Sequence, residues 1–214
     1  MIKRMRFGSR RADTSAEEFA AAWRHAVGGA AHAPPEVRPL RIAVCTALPG
    51  IEEPRHDGIG IEWFADADHL RRYEKWLESL PPGNGPVVVA EESVMRGAEW
   101  LERRWREGGG KLKHMAVALR AETLSRAEFA ERWHGHAGRV RQGIVIPDDM
   151  RGLAYLQNHP DPDRDTPYDA VNEVYFDDLE GLRARVEWFR RNPPADDLVG
   201  RWWFLAVSEE LILG

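Results

Sequence analysis

Three side chains in the second half of the sequence have the types and spacing of an acid–base site. Glu173 and Tyr175 alternate along one apolar segment, so both would lie on the same face of a β-strand. His136 follows an apolar helical pattern, and an unperturbed histidine titrates close to neutral pH. A carboxyl group among tryptophan rings would have a raised pKa, as a general acid or base requires. We therefore predict that these three residues are catalytic, with His136 exchanging a proton with a phenol or an acidic C–H group.

Simpler structural roles would explain the same residues. Glu173 would pair with an arginine at the rim of the sheet, and His136 would end the apolar helical stripe that begins at Phe129. Cys45 alternates with alanines, which is typical of a buried cysteine that acts as a small hydrophobic residue. Further side chains on neighbouring segments are candidates for substrate binding: His25, Trp63, His114, Tyr155, Asn158, Asp169 and Trp202.

Composition argues against several classes of function. The net charge of -5 disfavours nucleic acid or an anionic membrane as a partner, since either would require a basic face. A single cysteine excludes an intrachain disulfide and a cysteine-based metal cluster, and no HExxH, paired CxxC or phosphate-loop motif occurs. We therefore predict no metal and no bound cofactor. With no signal-peptide pattern and no apolar run near the ~20 residues of a membrane span, we expect a soluble cytoplasmic protein.

The elements that would position these residues occur twice along the chain. A shift of 110 residues superimposes a first block of identical residues: Ser15, Glu18, Phe19 and Trp23 on Ser125, Glu128, Phe129 and Trp133. A shift of 112 residues superimposes a second block: Asp57, Phe64, Asp66, Leu70 and Trp76 on Asp169, Phe176, Asp178, Leu182 and Trp188. We predict a tandem duplication, with repeats at 1–96 and 111–214 joined by a linker at 97–110 that contains a short helix.

Each repeat has strand and helix signals in the order β-α-β-β-α-β. Ser15 and Ser125 have the pattern of N-caps with a capping-box glutamate three residues later, and alternating apolar residues mark the strands. This order predicts an α+β fold of two ferredoxin-like antiparallel sheets, each with its helices on one face. The bare faces must be covered, so we expect the sheets to pack together as a pseudo-dimeric α/β barrel with a pocket between them.

The joint order of these motifs resembles the EthD family of the dimeric α/β-barrel superfamily. The resemblance lies in Phe129, Trp133, His136-Ala137-Gly138 and the segment from Tyr168 to Asp178, and the first repeat echoes it. It implies a cofactor-independent lyase, isomerase or cyclase that acts on a hydrophobic phenolic or polyketide-like small molecule. Two alternatives stay open: a non-catalytic small-molecule-binding accessory protein, and a haem-binding barrel with His136 or His25 as axial ligand. The fused barrel could also pair further as a homodimer.

The two repeats differ at the positions that matter for chemistry. His25 lies six residues after Phe19, whereas His136 lies seven residues after Phe129, so the two histidines do not share a helical phase. The first repeat also has Ile61 where the second has Glu173. We therefore expect the active site in the second repeat.

Overall fold

The structure is a computed structural model that describes residues 1–80, 85–135, 144–195 and 197–214, together with the backbone of 139–141. The first 96 residues contain, in order, β1 (Ile2–Gly8), α1 (Ala16–Gly28), β2 (Arg41–Ala47), β3 (Gly58–Phe64), α2 (Ala67–Leu77) and β4 (Val87–Arg96). After α3 (Ala98–Glu107) come β5 (Gly110–Arg120), α4 (Arg126–His134), β6 (Arg139–Arg141), β7 (Ile144–Val145), β8 (Ala154–Pro160), β9 (Ala170–Phe176), α5 (Leu179–Arg191) and β10 (Val199–Leu213).

Eight of these strands form one closed antiparallel barrel in the order β1-β3-β2-β10-β5-β9-β8-β4. Hydrogen bonds between β2 and β10 and between β4 and β8 join the strands of the two halves edge to edge. Closure leaves no unpaired strand edge. The prediction of an α+β barrel is confirmed. The two groups of four strands are not separate packed layers, because hydrogen bonds make them one continuous sheet.

Side chains that alternate along each strand fill the barrel interior. Its largest apolar cluster is built from fully buried residues, among them Met5, Phe7, Ile59, Trp63, Met115 and Leu205. The sequence predicts a pocket between the sheets. That prediction is wrong, because packed side chains occupy the space inside the barrel. Helices α1, α2, α4 and α5 lie on the outer face of the barrel, and both cavities described below are there as well, whereas α3 packs against the interior cluster through Trp105.

The two halves differ in how closely a helix packs on that outer face. Both α1 and α4 begin at a serine N-cap with a complete capping box, as the sequence predicts, but α1 has 13 residues and α4 has 9. In the first half a Cβ added to Gly60 would lie 2.6 Å from Val27 Cγ2, so glycine is what allows α1 to approach. The short hairpin of β6 and β7 was not predicted from the sequence. Within the described residues, no helix is both long and apolar enough to cross a membrane.

Candidate functional site

A cavity of about 470 Å³ lies on the outer face of the second half. Strands β5, β9 and β10 form its floor, and α4 and α5 flank it. Its walls are mainly apolar and include Trp133, Phe189, Trp202, Phe204, Val145 and Ile146. A cavity of this size with aromatic walls and a few polar groups is typical of a small-molecule site.

Three arginines line this cavity: Arg96 and Arg151 are exposed, and Arg185 of α5 is the buried one. Its Nε donates to His114 Nδ1 at 3.1 Å, and its Nη1 donates to the carbonyl oxygen of Met150 at 2.7 Å. No carboxylate forms an ion pair with it among the residues that the structure describes. Burial lowers the pKa of Arg185 below its ordinary value, yet a guanidinium stays charged at neutral pH. Because an uncompensated buried cation is costly, this group favours an anionic ligand.

His114 holds Arg185 in place and is not itself free to act as a base. Arginine only donates hydrogen bonds, so Nδ1 of His114 is the acceptor and Nε2 carries the proton, which points toward Glu52 Oε2 at 3.4 Å. Burial is the largest influence on the pKa of His114 and lowers it, with Arg185 acting in the same direction against Glu52. The imidazole is therefore neutral at neutral pH, and its ring stacks on Phe204 with centroids 4.6 Å apart.

Tyr155 is the proton donor at the polar end of the cavity. Its hydroxyl oxygen accepts hydrogen bonds from Gln157 Nε2 at 3.1 Å and from Asn172 Nδ2 at 3.2 Å. Since both lone pairs are engaged, the hydroxyl proton is available to a ligand oxygen. Burial raises the pKa of Tyr155, so the phenol keeps its proton at neutral pH. The Oδ1 atom of Asn172, also in the lining, is buried without a hydrogen bond and could accept one from a ligand.

Glu173 lies on the opposite side of the sheet, inside the barrel, and its predicted raised pKa is wrong. Lys3 donates to its Oε1 at 2.5 Å, Lys113 donates to its Oε2, and Asn158 donates to Oε1 at 3.0 Å. Burial is the largest influence on the pKa of Glu173 and raises it, but Lys113 and Lys3 together outweigh burial and hold the pKa well below its usual range. Glu173 is thus ionised at neutral pH as a member of a buried charge network, and is not an arginine-paired rim residue.

The same network contains two more of the predicted site residues. Tyr175 donates to Glu209 Oε2 at 3.4 Å, and Trp63 donates through Nε1 to Glu92 Oε2 at 3.2 Å. Burial raises the pKa of Tyr175 well above its ordinary value, with Glu209 adding to the effect, so this phenol stays neutral. The network is completed by Arg104 of α3, whose Nη2 donates to Glu209 Oε1 at 2.7 Å. Three cations face three carboxylates: Lys3, Lys113 and Arg104 against Glu92, Glu173 and Glu209.

The remaining predicted residues are distributed over the molecule. His114, Tyr155 and Trp202 line the outer cavity. His25 is exposed on α1 and lies outside both cavities described here. Asp169 is buried, accepts from the backbone N–H of Arg120 at 2.9 Å and faces its guanidinium, which is a structural role. His136, the predicted base, lies outside the described residues.

Sequence reasoning missed the two polar residues that define the cavity, Arg185 and Asn172. A signal for Arg185 was present, because it falls within the apolar stripe of α5 formed by Leu182, Val186 and Phe189. A cation in such a stripe is either paired or functional. Asn172 has a comparable signal, since it occupies a strand face of β9 that is otherwise apolar.

Comparisons with known proteins give little beyond a general likeness. No family model matches the chain, and neither does any curated protein. A solved structure of a candidate monooxygenase from Fusobacterium nucleatum is 8% identical and has a TM-score of 0.46, with 99% of this chain and 91% of that chain covered. A candidate monooxygenase from Lactobacillus acidophilus is 10% identical and has a TM-score of 0.45, with 98% and 94% covered. At these values the likeness carries no argument, and the resemblance to the EthD family stays a prediction.

Proposed function

We propose that this protein is a small-molecule enzyme whose active site is the outer cavity of the second half. Its substrate is an apolar, aromatic or polyketide-like molecule with an anionic or acidic oxygen, and the reaction is a lyase, isomerase or cyclase step that needs no bound cofactor. The observation that carries this proposal is Arg185, a buried cation without a carboxylate partner among the described residues, in an aromatic cavity of about 470 Å³.

The polar end of the cavity suits a reaction that passes through an enolate or phenolate. Removal of a proton from a carbon beside a carbonyl group leaves negative charge on the carbonyl oxygen. The Arg185 guanidinium would stabilise that charge, and the Tyr155 hydroxyl would donate a hydrogen bond or a proton to the same oxygen. The aromatic walls would exclude water and so strengthen both interactions.

The base that removes the proton is not among the residues discussed above. Nδ1 of His114 already accepts from Arg185 and its Nε2 carries the proton, so neither nitrogen can take a proton, and the raised pKa of Tyr155 makes it an acid and not a base. His136 stays our prediction for the base, with its position outside the described residues. The haem alternative names His136 or His25 as axial ligand; His25 is exposed and lies outside both cavities described here, and His136 lies outside the described residues.

A second candidate function is binding without catalysis. It is favoured by the hydrogen bond from Arg185 to His114, which makes His114 unsuitable as a base. A cavity with an anion-binding arginine and a proton donor can hold a ligand without reacting with it. The two candidates share a ligand class and differ only in whether a C–H bond of the ligand is broken.

Calorimetry and hydrogen exchange together test the proposal. We expect 1-hydroxy-2-naphthoate to bind, its neutral amide to bind far less tightly, and the Arg185→Gln variant to lose at least tenfold in affinity for the carboxylate. Arg183→Gln is the matched control, because Arg183 is exposed two residues away on the same helix. Equal binding of acid and amide, or an unchanged affinity in Arg185→Gln, would contradict the proposed ligand class.

The enzymatic part is read separately by incorporation of deuterium from D2O into an aromatic ketone such as 2-tetralone. An enzyme should accelerate exchange at the carbons beside the carbonyl above the buffer rate, and Arg185→Gln and Tyr155→Phe should slow it. Binding of the naphthoate without any acceleration of exchange across a panel of aromatic ketones would favour the binding protein.

We further propose that the chain is a fused tandem repeat of ferredoxin-like units at 1–96 and 111–214, joined by 97–110, and that only the second unit carries the site. In support, the strand order β4-β1-β3-β2 of the first half has its counterpart in β10-β5-β9-β8 of the second. The linker helix α3 contributes Arg104 to the barrel interior, so it serves both units.

A further inference from the structure

A second cavity, of about 480 Å³, lies where the two halves meet at the β4–β8 edge, and we call it the seam cavity. The first half contributes residues of α2 and β4, including Leu70, Val89 and Glu91. The second half contributes residues of α4, β8 and the loop that follows, including His134, His159 and Asp161. None of these residues takes part in the site proposed above.

Two histidines from different elements stack on each other at this cavity. The rings of His134 and His159 are nearly parallel, at 10°, with centroids 3.8 Å apart. Nδ1 of His134 donates to the carbonyl oxygen of Ala130 at 2.7 Å. His159 is only 8% exposed, and its Nε2 is buried without a hydrogen bond. Burial, reinforced by His134, lowers the pKa of His159 to about 4, so its imidazole is neutral at neutral pH and can accept a hydrogen bond.

The charges around the seam cavity leave an excess of negative charge. Two arginines in the lining are already paired, Arg71 with Asp68 and Arg164 with Glu74. The two carboxylates in the lining, Glu91 and Asp161, have no ion pair within the described part of the chain. Glu91 faces His159 directly in the β4–β8 register, which places the carboxylate on the same outer face of the sheet as the unpartnered imidazole.

At the other seam, between β2 and β10, an ion pair occupies the position that corresponds to His134. There Arg24 of α1 donates to Glu210 of β10 at 2.9 Å. The 110-residue shift that relates the two repeats superimposes Arg24 on His134. At one seam, therefore, an ion pair joins helix to strand. At the other, within the described residues, Nε2 of His159 has no hydrogen bond and neither carboxylate has an ion pair.

We propose that the seam cavity is a second ligand site that takes a small organic cation, a protonated primary or secondary amine on a compact apolar body. The ammonium N–H donates to His159 Nε2, its charge faces Glu91 and Asp161, and its hydrocarbon part contacts Leu70 and Val89. A transition metal fits less well, because no group of three or more potential ligands occurs among the described residues, and stacked parallel rings do not direct their lone pairs to one point.

Histidine-ring NMR of the full-length protein tests this site, with cyclohexylammonium as the probe. We expect a saturable shift of the His159 ring signals with cyclohexylammonium, and none with cyclohexanol or cyclohexanecarboxylate at the same concentrations. The double variant Glu91→Gln/Asp161→Asn should bind the amine about fivefold more weakly at low salt. Asp163→Asn is the matched control, because Asp163 is exposed in the same loop and outside the cavity lining, and it should leave the affinity unchanged.

Three results would overturn the proposal. The first is the absence of any His159 shift up to the solubility limit of the amine. The second is equal binding of cyclohexanol, or an unchanged affinity in the double variant, either of which removes the role of charge. The third is a Zn²⁺ titration that shifts both histidines at lower concentration than the amine does, which would make the site a metal site. Each outcome is independent of Arg185 and of the outer cavity.

Discussion

The outer faces of the two halves carry side-chain clusters at corresponding positions, and only the cluster of the first half contains a carboxylate. In the first half Arg4 donates to Glu62 at 2.8 Å, and Tyr73 of α2 donates to the other oxygen of Glu62 at 2.9 Å. This arrangement explains why a glutamate can lie on a packing face, since the cation and the phenol satisfy both of its oxygens. The cluster is internally neutral and has no need of a ligand.

In the second half the same three places hold His114, Val174 and Arg185. The strand register pairs His114 with Val174 just as it pairs Arg4 with Glu62, and the 112-residue shift superimposes Tyr73 on Arg185. With valine at the carboxylate position, Arg185 on the helix has no counter-ion within the described part of the chain. The comparison shows that two differences distinguish an anion site from a packing face on this fold: the cation lies on the helix and not on the strand, and the carboxylate is absent.

The strands below these clusters also differ, because β3 has glycines where β9 has larger residues. Gly58 and Gly60 of β3 let Trp23 and Val27 of α1 fill the first outer face, whereas Ala170 and Asn172 of β9 occupy the corresponding places in the second. The larger side chains keep the shorter α4 from filling that face, and the cavity is the space that results. Five predictions follow: two concern the framework that the halves share, and three test this division between a packed first half and an open second half.

The largest expected effect concerns the framework that both halves share. Glu173→Gln would leave Lys3 and Lys113 buried without their common carboxylate, so we expect a loss of about 3–5 kcal/mol in the free energy of unfolding. Urea denaturation measures it. A loss below about 1 kcal/mol would contradict the assignment of Glu173 as the centre of the charge network.

The pH dependence of the same residue has a defined sign. Because the pKa of folded Glu173 is lowered, its contribution to stability is present above the unfolded pKa of about 4.3 and is lost as pH falls through the folded value. The wild-type protein should therefore lose stability in acid more steeply than Glu173→Gln does. Parallel acid profiles for the two proteins would show that folding does not lower the pKa of Glu173.

Adding a methyl group at Gly60 of β3 should disturb the packing of α1 on the outer face of the first half. Gly60→Ala places its Cβ 2.6 Å from Val27, so we expect a cost of about 1–3 kcal/mol, measured by thermal and urea unfolding. Gly29→Ala is the control, because Gly29 has a helical φ of -54° and nothing lies within 4 Å of the added carbon. Equal stability of the two variants would mean that α1 does not depend on close approach to the sheet.

Copying the first-half carboxylate into the second half should close the anion site. Val174→Glu supplies Arg185 with the counter-ion that Glu62 gives Arg4, so we expect a loss of about 1.5 kcal/mol in the binding of 1-hydroxy-2-naphthoate, roughly tenfold in affinity. Calorimetry measures it, with unfolding curves to verify that the variant folds. Full retention of affinity in the folded variant would break the comparison between the two clusters.

The smallest expected effect concerns the difference between α1 and α4, the first helix of each half. Ser125→Ala and Ser15→Ala each remove a capping-box hydroxyl and should cost about 1 kcal/mol of stability. Only Ser125→Ala should also weaken ligand binding, because α4 carries Trp133 of the cavity wall. Similar binding by both variants would show that the ligand does not depend on the position of α4.

Local signals in the sequence are sufficient for the elements and insufficient for the site. The capping boxes at Ser15 and Ser125 and the alternation along β9 predict where helices and strands occur, because each depends on neighbours a few residues away. Glu173 looked reactive because its partners cannot be read from spacing: Lys3 lies 170 residues before it and Lys113 lies 60 residues before it.

The cavity could not be placed from the sequence for a related reason. Both faces of β9 carry polar and apolar side chains, Asn172 on one and Glu173 on the other, so the strand pattern does not say which face is open. Helix packing determines which face is open. It depends on the glycines of the first half and on their larger counterparts in the second. Arg185 was the residue whose position in an apolar stripe pointed to the correct face.

The most direct measurement is the crystal structure of the protein with 1-hydroxy-2-naphthoate. We predict that its carboxylate contacts the Arg185 guanidinium, that Tyr155 donates to one of its oxygens, and that its rings lie against Trp133, Trp202 and Phe204. A ligand bound inside the barrel or in the seam cavity, with Arg185 untouched, would contradict the account.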